Sequence, residues 1–79
     1  MRAYPNPARE TLNFTVRGVS GVGQMVVTDM SGRIMLSRSV QLGLGANTLE
    51  TGSLPAGSYL LRVAPGSGKP SIMQFQVIK

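Results

Sequence analysis

Alternation of apolar and polar residues with period two runs through the apolar stretches of this sequence and leaves no place for a helix. In TLNFTVR, residues 11–17, Leu12, Phe14 and Val16 share one side while Asn13, Thr15 and Arg17 share the other, the pattern of a half-buried strand. GQMVVTD, residues 23–29, repeats it, with Met25 and Val27 on one face and Val26 and Thr28 on the opposite one. SYLLRVA places Tyr59, Leu61 and Val63 on the core side, and SIMQFQVIK alternates Met73, Phe75 and Val77 with Gln74 and Gln76. RIMLSRSV and a short stretch around Asn47 to Glu50 supply two further strands. Glycines separate these segments, and such spacing without helical periodicity predicts an all-β fold. The expected architecture is a small antiparallel β-sandwich of six to seven strands.

Two turns can be read residue by residue. In DMSGR, Gly32 stands where a tight hairpin needs positive φ, and the Asp29 side chain can bond the turn's own backbone. The chain turns again at Pro55 to Gly57. Tyr59, just after that turn, reads as a core residue whose hydroxyl bonds nearby backbone.

The opening RAYPNPA differs from everything after it. Pro5 and Pro7 exclude helix and remove two donors from one side of the chain, leaving the N–H groups of Tyr4 and Asn6 on the other. A segment that pairs on one side only is expected to be an edge strand. Its stiffness would stop strand pairing from running back into upstream chain.

Seventy-nine residues, 42% of them apolar, suffice for one small core, so residues 1–79 read as one domain excised from a longer parent. No cysteine is present to brace it with a disulfide or a thiolate metal site. No apolar run has membrane-spanning length. The net charge of +5 raises nucleic acid as a partner, but the bases at 2, 9, 17, 33, 38, 62, 69 and 79 are spread nearly evenly. A nucleic-acid face gathers its bases and interleaves aromatics, so no nucleic-acid partner is expected.

Chemistry is equally constrained. With no histidine, no cysteine and only Glu10, Asp29 and Glu50 as carboxylates, no acid–base pair or activated nucleophile can be assembled. No enzyme, no cofactor and no metal site is expected. GVSGVG, residues 18–23, joins two strands rather than opening a helix, so it reads as a flexible hairpin loop and not a phosphate cradle. GSGKP lacks both the earlier glycine and the hydroxyl residue of a P-loop, and NFT, a glycosylation sequon, falls inside a strand.

Taken in order, YPNPA, then L-x-F-x-V, then V-x-D-x-x-G-R around Asp29 and Gly32, then LPAGSYLLRV with Gly57 and Tyr59, then a short final strand, the chain resembles the C-terminal sorting domain of type IX secretion cargo, the Por secretion tail family, type A. The likeness runs from Tyr4 to Lys79. It implies a small immunoglobulin-like β-sandwich that acts as a signal domain, directing a parent protein through the periplasm and across the outer membrane of a Gram-negative bacterium to the cell surface. The implied partners are the type IX translocon, its outer-membrane shuttle proteins and a sortase-like cysteine protease that removes the tail and anchors the cargo. Edge strands would also serve a homodimer. The motif residues carried over for translocon recognition are Tyr4, Pro5, Asn6, Pro7, Asp29, Gly32, Gly57, Tyr59, Phe75, Val77, Ile78 and Lys79. Met73 to Lys79 is expected to carry export information through an exposed edge, and cleavage is expected upstream of Tyr4.

One departure keeps a second reading open. The family's final strand usually opens with Lys, whereas Gln74 and Gln76 hold the polar positions here. A tail retained as a docking module of a secretion component therefore stands beside a removable one, and a generic immunoglobulin-like accessory binding module stands behind both.

Overall fold

The computed structural model describes residues 1–66 and 68–79; Ser67, within the GSGKP stretch, lies outside the described residues. Seven strands form two sheets: β1 (Arg2–Tyr4), β2 (Thr11–Thr15) and β5 (Asn47–Glu50) in the order β1-β2-β5, and β3 (Gly21–Asp29), β4 (Ile34–Leu42), β6 (Gly57–Pro65) and β7 (Ser71–Val77) in the order β4-β3-β6-β7. Every strand pairing within these sheets is antiparallel. The chain crosses between sheets after β2, β4 and β5, so neither sheet is a simple meander. The all-β sandwich expected from the alternation is the fold observed.

The inward faces close on one core of Ala8, Leu12, Phe14, Met25, Val27, Leu42, Leu49, Leu54, Tyr59, Leu61, Val63, Phe75 and Val77. Full burial of a side chain such as Phe or Leu contributes roughly 1.5–3 kcal/mol, and with no cysteine to form a disulfide the fold rests mainly on this burial. Val16, expected inside, and Leu36 are half-buried and pack against the core's margin. Val16 lies one residue beyond β2, and Leu36 sits on the edge strand β4 beside a bulge at Val27/Thr28. Each therefore has packing partners on one side only.

Two expectations about loops are corrected. GVSGVG is not a hairpin loop: β2 and β3 belong to different sheets, and Gly21 to Gly23 already form the start of β3. Gly23 is buried there, and the position has no room for a side chain: a Cβ would lie 2.7 Å from Leu42 Cδ1 and 3.0 Å from the Ala64 carbonyl oxygen. The proline segment is likewise not a strand. β1 is the edge of its sheet, as expected, but pairing stops at Tyr4, and residues 5–7 form a bend whose Tyr4–Pro5 and Asn6–Pro7 peptide bonds are cis. Without N–H groups the prolines cannot extend the ladder with β2.

That bend carries the chain from one sheet to the other. Ala8 leaves β1's sheet, is fully buried, and bridges Val77 of β7 in parallel. Residues near the start of the sequence thus lie beside its last strand.

Candidate functional site

The registers bring most of the motif residues to one end of the four-stranded sheet. Asp29 of β3 lies opposite Tyr59 of β6, and Tyr59 lies opposite Phe75 of β7. Gly57 pairs with Val77 two rows further on, and Ala8 lies against Val77 from outside. Segments far apart in sequence therefore meet at a single rim of the sandwich.

Each motif residue there performs a definable structural task. Asp29 Oδ1 accepts hydrogen bonds from the Ser31 N–H at 3.0 Å, the Ser31 hydroxyl at 2.7 Å and the Arg33 N–H at 2.9 Å. Its Oδ2 lies 3.3 Å from Arg33 Nε. The Ser31 hydroxyl, then the Arg33 N–H, hold the Asp29 carboxyl below its ordinary pKa, and the Arg33 charge adds to them. Gly32 takes φ 92°, the left-handed conformation the turn requires, and its N–H donates to the Asp29 carbonyl at 3.1 Å.

Tyr59 is buried, donates its hydroxyl to the Pro55 carbonyl and stacks on Phe75 with ring centroids 5.7 Å apart. A tyrosine at the start of a strand that ties back to backbone four residues upstream is the corner device of immunoglobulin-like sandwiches. The reading of Tyr59 as a core residue holds. Phe75 and Val77 are buried as well.

The N-terminal motif meets the C-terminal strand directly. The Ala8 N–H donates to the Gln76 carbonyl at 2.8 Å, the Ile78 N–H donates to the Ala8 carbonyl at 2.9 Å, and the Gln76 N–H donates to Asn6 Oδ1 at 3.1 Å. Asn6 thus supplies a side-chain acceptor that extends the pairing begun by Ala8. Lys79 Nζ donates to the Gly52 carbonyl at 2.7 Å. The expectation that β7 offers a wholly exposed edge is therefore corrected. In an antiparallel ladder outward N–H and C=O groups alternate, so the outward positions are Ile72, Gln74 and Gln76, and Gln76 is already occupied.

Pro5, Pro7 and Tyr4 are exposed, Tyr4 on the outer face of β1 opposite Asn13, so one aromatic does face outward. Beside this rim a cleft of about 670 Å³ is lined by residues that include Arg9, Glu10, Glu50, Ile78 and Lys79. Sequence reading missed Thr51, between the cleft residues Glu50 and Gly52: it is buried, and its N–H and that of Gly52 both donate to the Glu10 carbonyl, at 2.8 and 3.1 Å. Ala8 was missed too, because a lone alanine between proline and arginine carries no periodic signal. Among the described residues no group of three metal-ligating side chains comes together.

With its motif residues spent on turns, a corner and strand closure, the chain is a small β domain whose marked positions shape one rim of a sandwich. The chain matches the Por secretion tail family, described as the secretion system C-terminal sorting domain, over residues 2–79. It belongs to that family and is a C-terminal sorting domain of the type IX secretion system, a signal for secretion across the outer membrane and not an enzyme. It therefore interacts with the type IX machinery. No curated protein and no solved structure matches the chain significantly.

Proposed function

We propose that residues 2–79 act as one removable address at the C-terminal end of a longer parent, presented in folded form to the translocon and its outer-membrane shuttle proteins. The parent passes through the periplasm to the cell surface, where a sortase-like cysteine protease cuts ahead of the domain. The observation that carries this reading is the closure of the sequence's two ends into one unit: Arg2 to Tyr4 pair with β2, and Ala8 pairs beside β7. A protease needs several extended, accessible residues, which this paired backbone does not offer. The boundary expected at Tyr4 accordingly moves to Arg2.

Mass spectrometry of the surface-exposed parent tests it. A mature C-terminus before Arg2 supports removal as a unit, whereas an end between Arg2 and Lys79 contradicts it. An intact Lys79 supports the alternative, a retained docking module, which Gln74 and Gln76 favour through their departure from the family's last strand. An accessory sugar-binding module has less behind it, since Tyr4 is the only one of the four aromatic rings that is exposed.

A further inference from the structure

On the outer face of the four-stranded sheet, Arg62 of β6 stands at the centre of a cross of aliphatic side chains. Val26 of β3 lies directly opposite it on one side and Ile72 of β7 on the other. Leu60 and Ala64, two residues away along β6, complete the cross. Opposed side chains on one face of a sheet lie about 5 Å apart and successive ones about 7 Å, so all four surround the guanidinium's stem. Ile72 is 61% exposed, Val22 and Ile34 extend the apolar surface, and both of these are 64% exposed. The polar residues around them are uncharged, and the amide of Gln24 is already tied to Ser37 at 2.9 Å. Among the described residues Arg62 is the only charged one at an outward strand position of this sheet.

Among the described residues no carboxylate pairs with that charge. Among the described residues the only ion pair is Arg33 with Asp29, while Glu10 and Glu50 line the cleft at the rim. A lone arginine in an aliphatic surround has the composition of an interface hot spot. A polyanion would call for several bases on one face. A second copy laid face to face about a twofold axis would set Arg62 near Arg62 with no carboxylate between them.

We propose that this face, centred on Arg62 and bounded by Val26, Leu60, Ala64 and Ile72, docks a partner protein that presents a carboxylate within an apolar surround. The inference rests on the sorting reading and names the surface through which a component of the secretion machinery grips the folded tail.

The test uses the full parent protein in cells that possess the secretion system. Arg62→Glu should lower surface delivery about tenfold or more, Arg62→Lys should lower it less, and the urea midpoint of the parent's tail unfolding should not move. A photo-crosslinker at Ile72 should capture an outer-membrane protein of the machinery, whereas one at Thr48 on the opposite sheet should not. Reversing the captured protein's facing carboxylate to Lys should restore delivery of Arg62→Glu. Wild-type delivery of Arg62→Glu overturns the inference, as does crosslinking at Ile72 to lipid alone or only to a second copy. Normal delivery of a parent lacking residues 2–79 overturns the sorting reading itself, a separate outcome.

Discussion

The two outer faces of this sandwich grow from the same period-two pattern and come out chemically opposed. β1, β2 and β5 show the solvent Arg2, Tyr4, Thr11, Asn13, Thr15, Thr48 and Glu50, a charged and hydroxylic surface tied across strands by the Thr48 hydroxyl donating to Asn13 Oδ1 at 2.9 Å. β3, β6 and β7 instead show Val22, Val26, Leu60 and Ile72 around a single arginine. One surface is finished for water and the other is only half finished. The contrast teaches that alternation assigns the inside of a strand but leaves the character of its outside free, and that the outside is where this domain can be recognised. Six of the motif residues lie on neither outer face: Asp29, Gly32, Gly57, Tyr59, Phe75 and Val77 build the rim and core.

The largest expected effect lies in the core the two sheets share. Phe14→Ala and Phe75→Ala should each destabilise the domain by about 3–5 kcal/mol, measured by equilibrium urea unfolding, most of what a domain of this size has. A loss below about 1 kcal/mol for both would mean that the faces are assigned the wrong way round. Gly23→Ala, which drives a Cβ against Leu42 and the Ala64 carbonyl, should cost about 1–3 kcal/mol. Tyr59→Phe keeps the stack on Phe75 and removes the bond to Pro55, for a loss of about 1 kcal/mol in the same assay.

Much of this was legible in the residues and some was not. Leu12, Phe14, Met25, Val27, Tyr59, Leu61, Val63, Phe75 and Val77 are buried as their spacing predicts, because each lies in a strand with one wet side. Val26, Leu60 and Ile72 broke the alternation with apolar residues on the outer face, which periodicity alone reads as noise. Strand pairing across the whole length of the chain left no local trace: nothing in YPNPA says that Asn6 and Ala8 reach Gln76 and Ile78. The hairpin at Asp29 was readable because its hydrogen bonds are local, whereas closure of the two ends depends on contacts some seventy residues apart.

A smaller effect concerns pH at the rim. The carboxyl of Asp29 has its pKa lowered in the folded state, chiefly by the Ser31 hydroxyl and the Arg33 N–H. The stability it contributes is thus present above the ordinary carboxylate pKa and is lost as the pH falls through the folded value. Asp29→Ala should remove that part of the acid sensitivity, seen as a flatter dependence of the urea midpoint on pH at the acid end. An unchanged profile would show that the turn's bonds do not distinguish folded from unfolded chain.

The smallest stability effects separate the two faces most sharply. Thr48→Ser and Ile72→Ser should both leave the unfolding free energy within about 0.5 kcal/mol of wild type, yet only Ile72→Ser should reduce surface delivery. Equal delivery of both would erase the functional difference between the faces. Deletion of Val77 to Lys79 cannot serve here, because it removes a core residue together with the bonds from Ile78 and Lys79.

The most direct measurement attaches residues 1–79 to the C-terminus of an unrelated periplasmic protein and follows that passenger by surface proteolysis and cell fractionation. It is made in cells with the type IX system and in otherwise identical cells lacking its translocon. A sorting signal predicts passenger at the surface or in the medium in the first strain and in the periplasm in the second. Passenger held in the periplasm of both strains, with the domain shown to be folded by its protection from protease, would contradict a self-sufficient sorting domain.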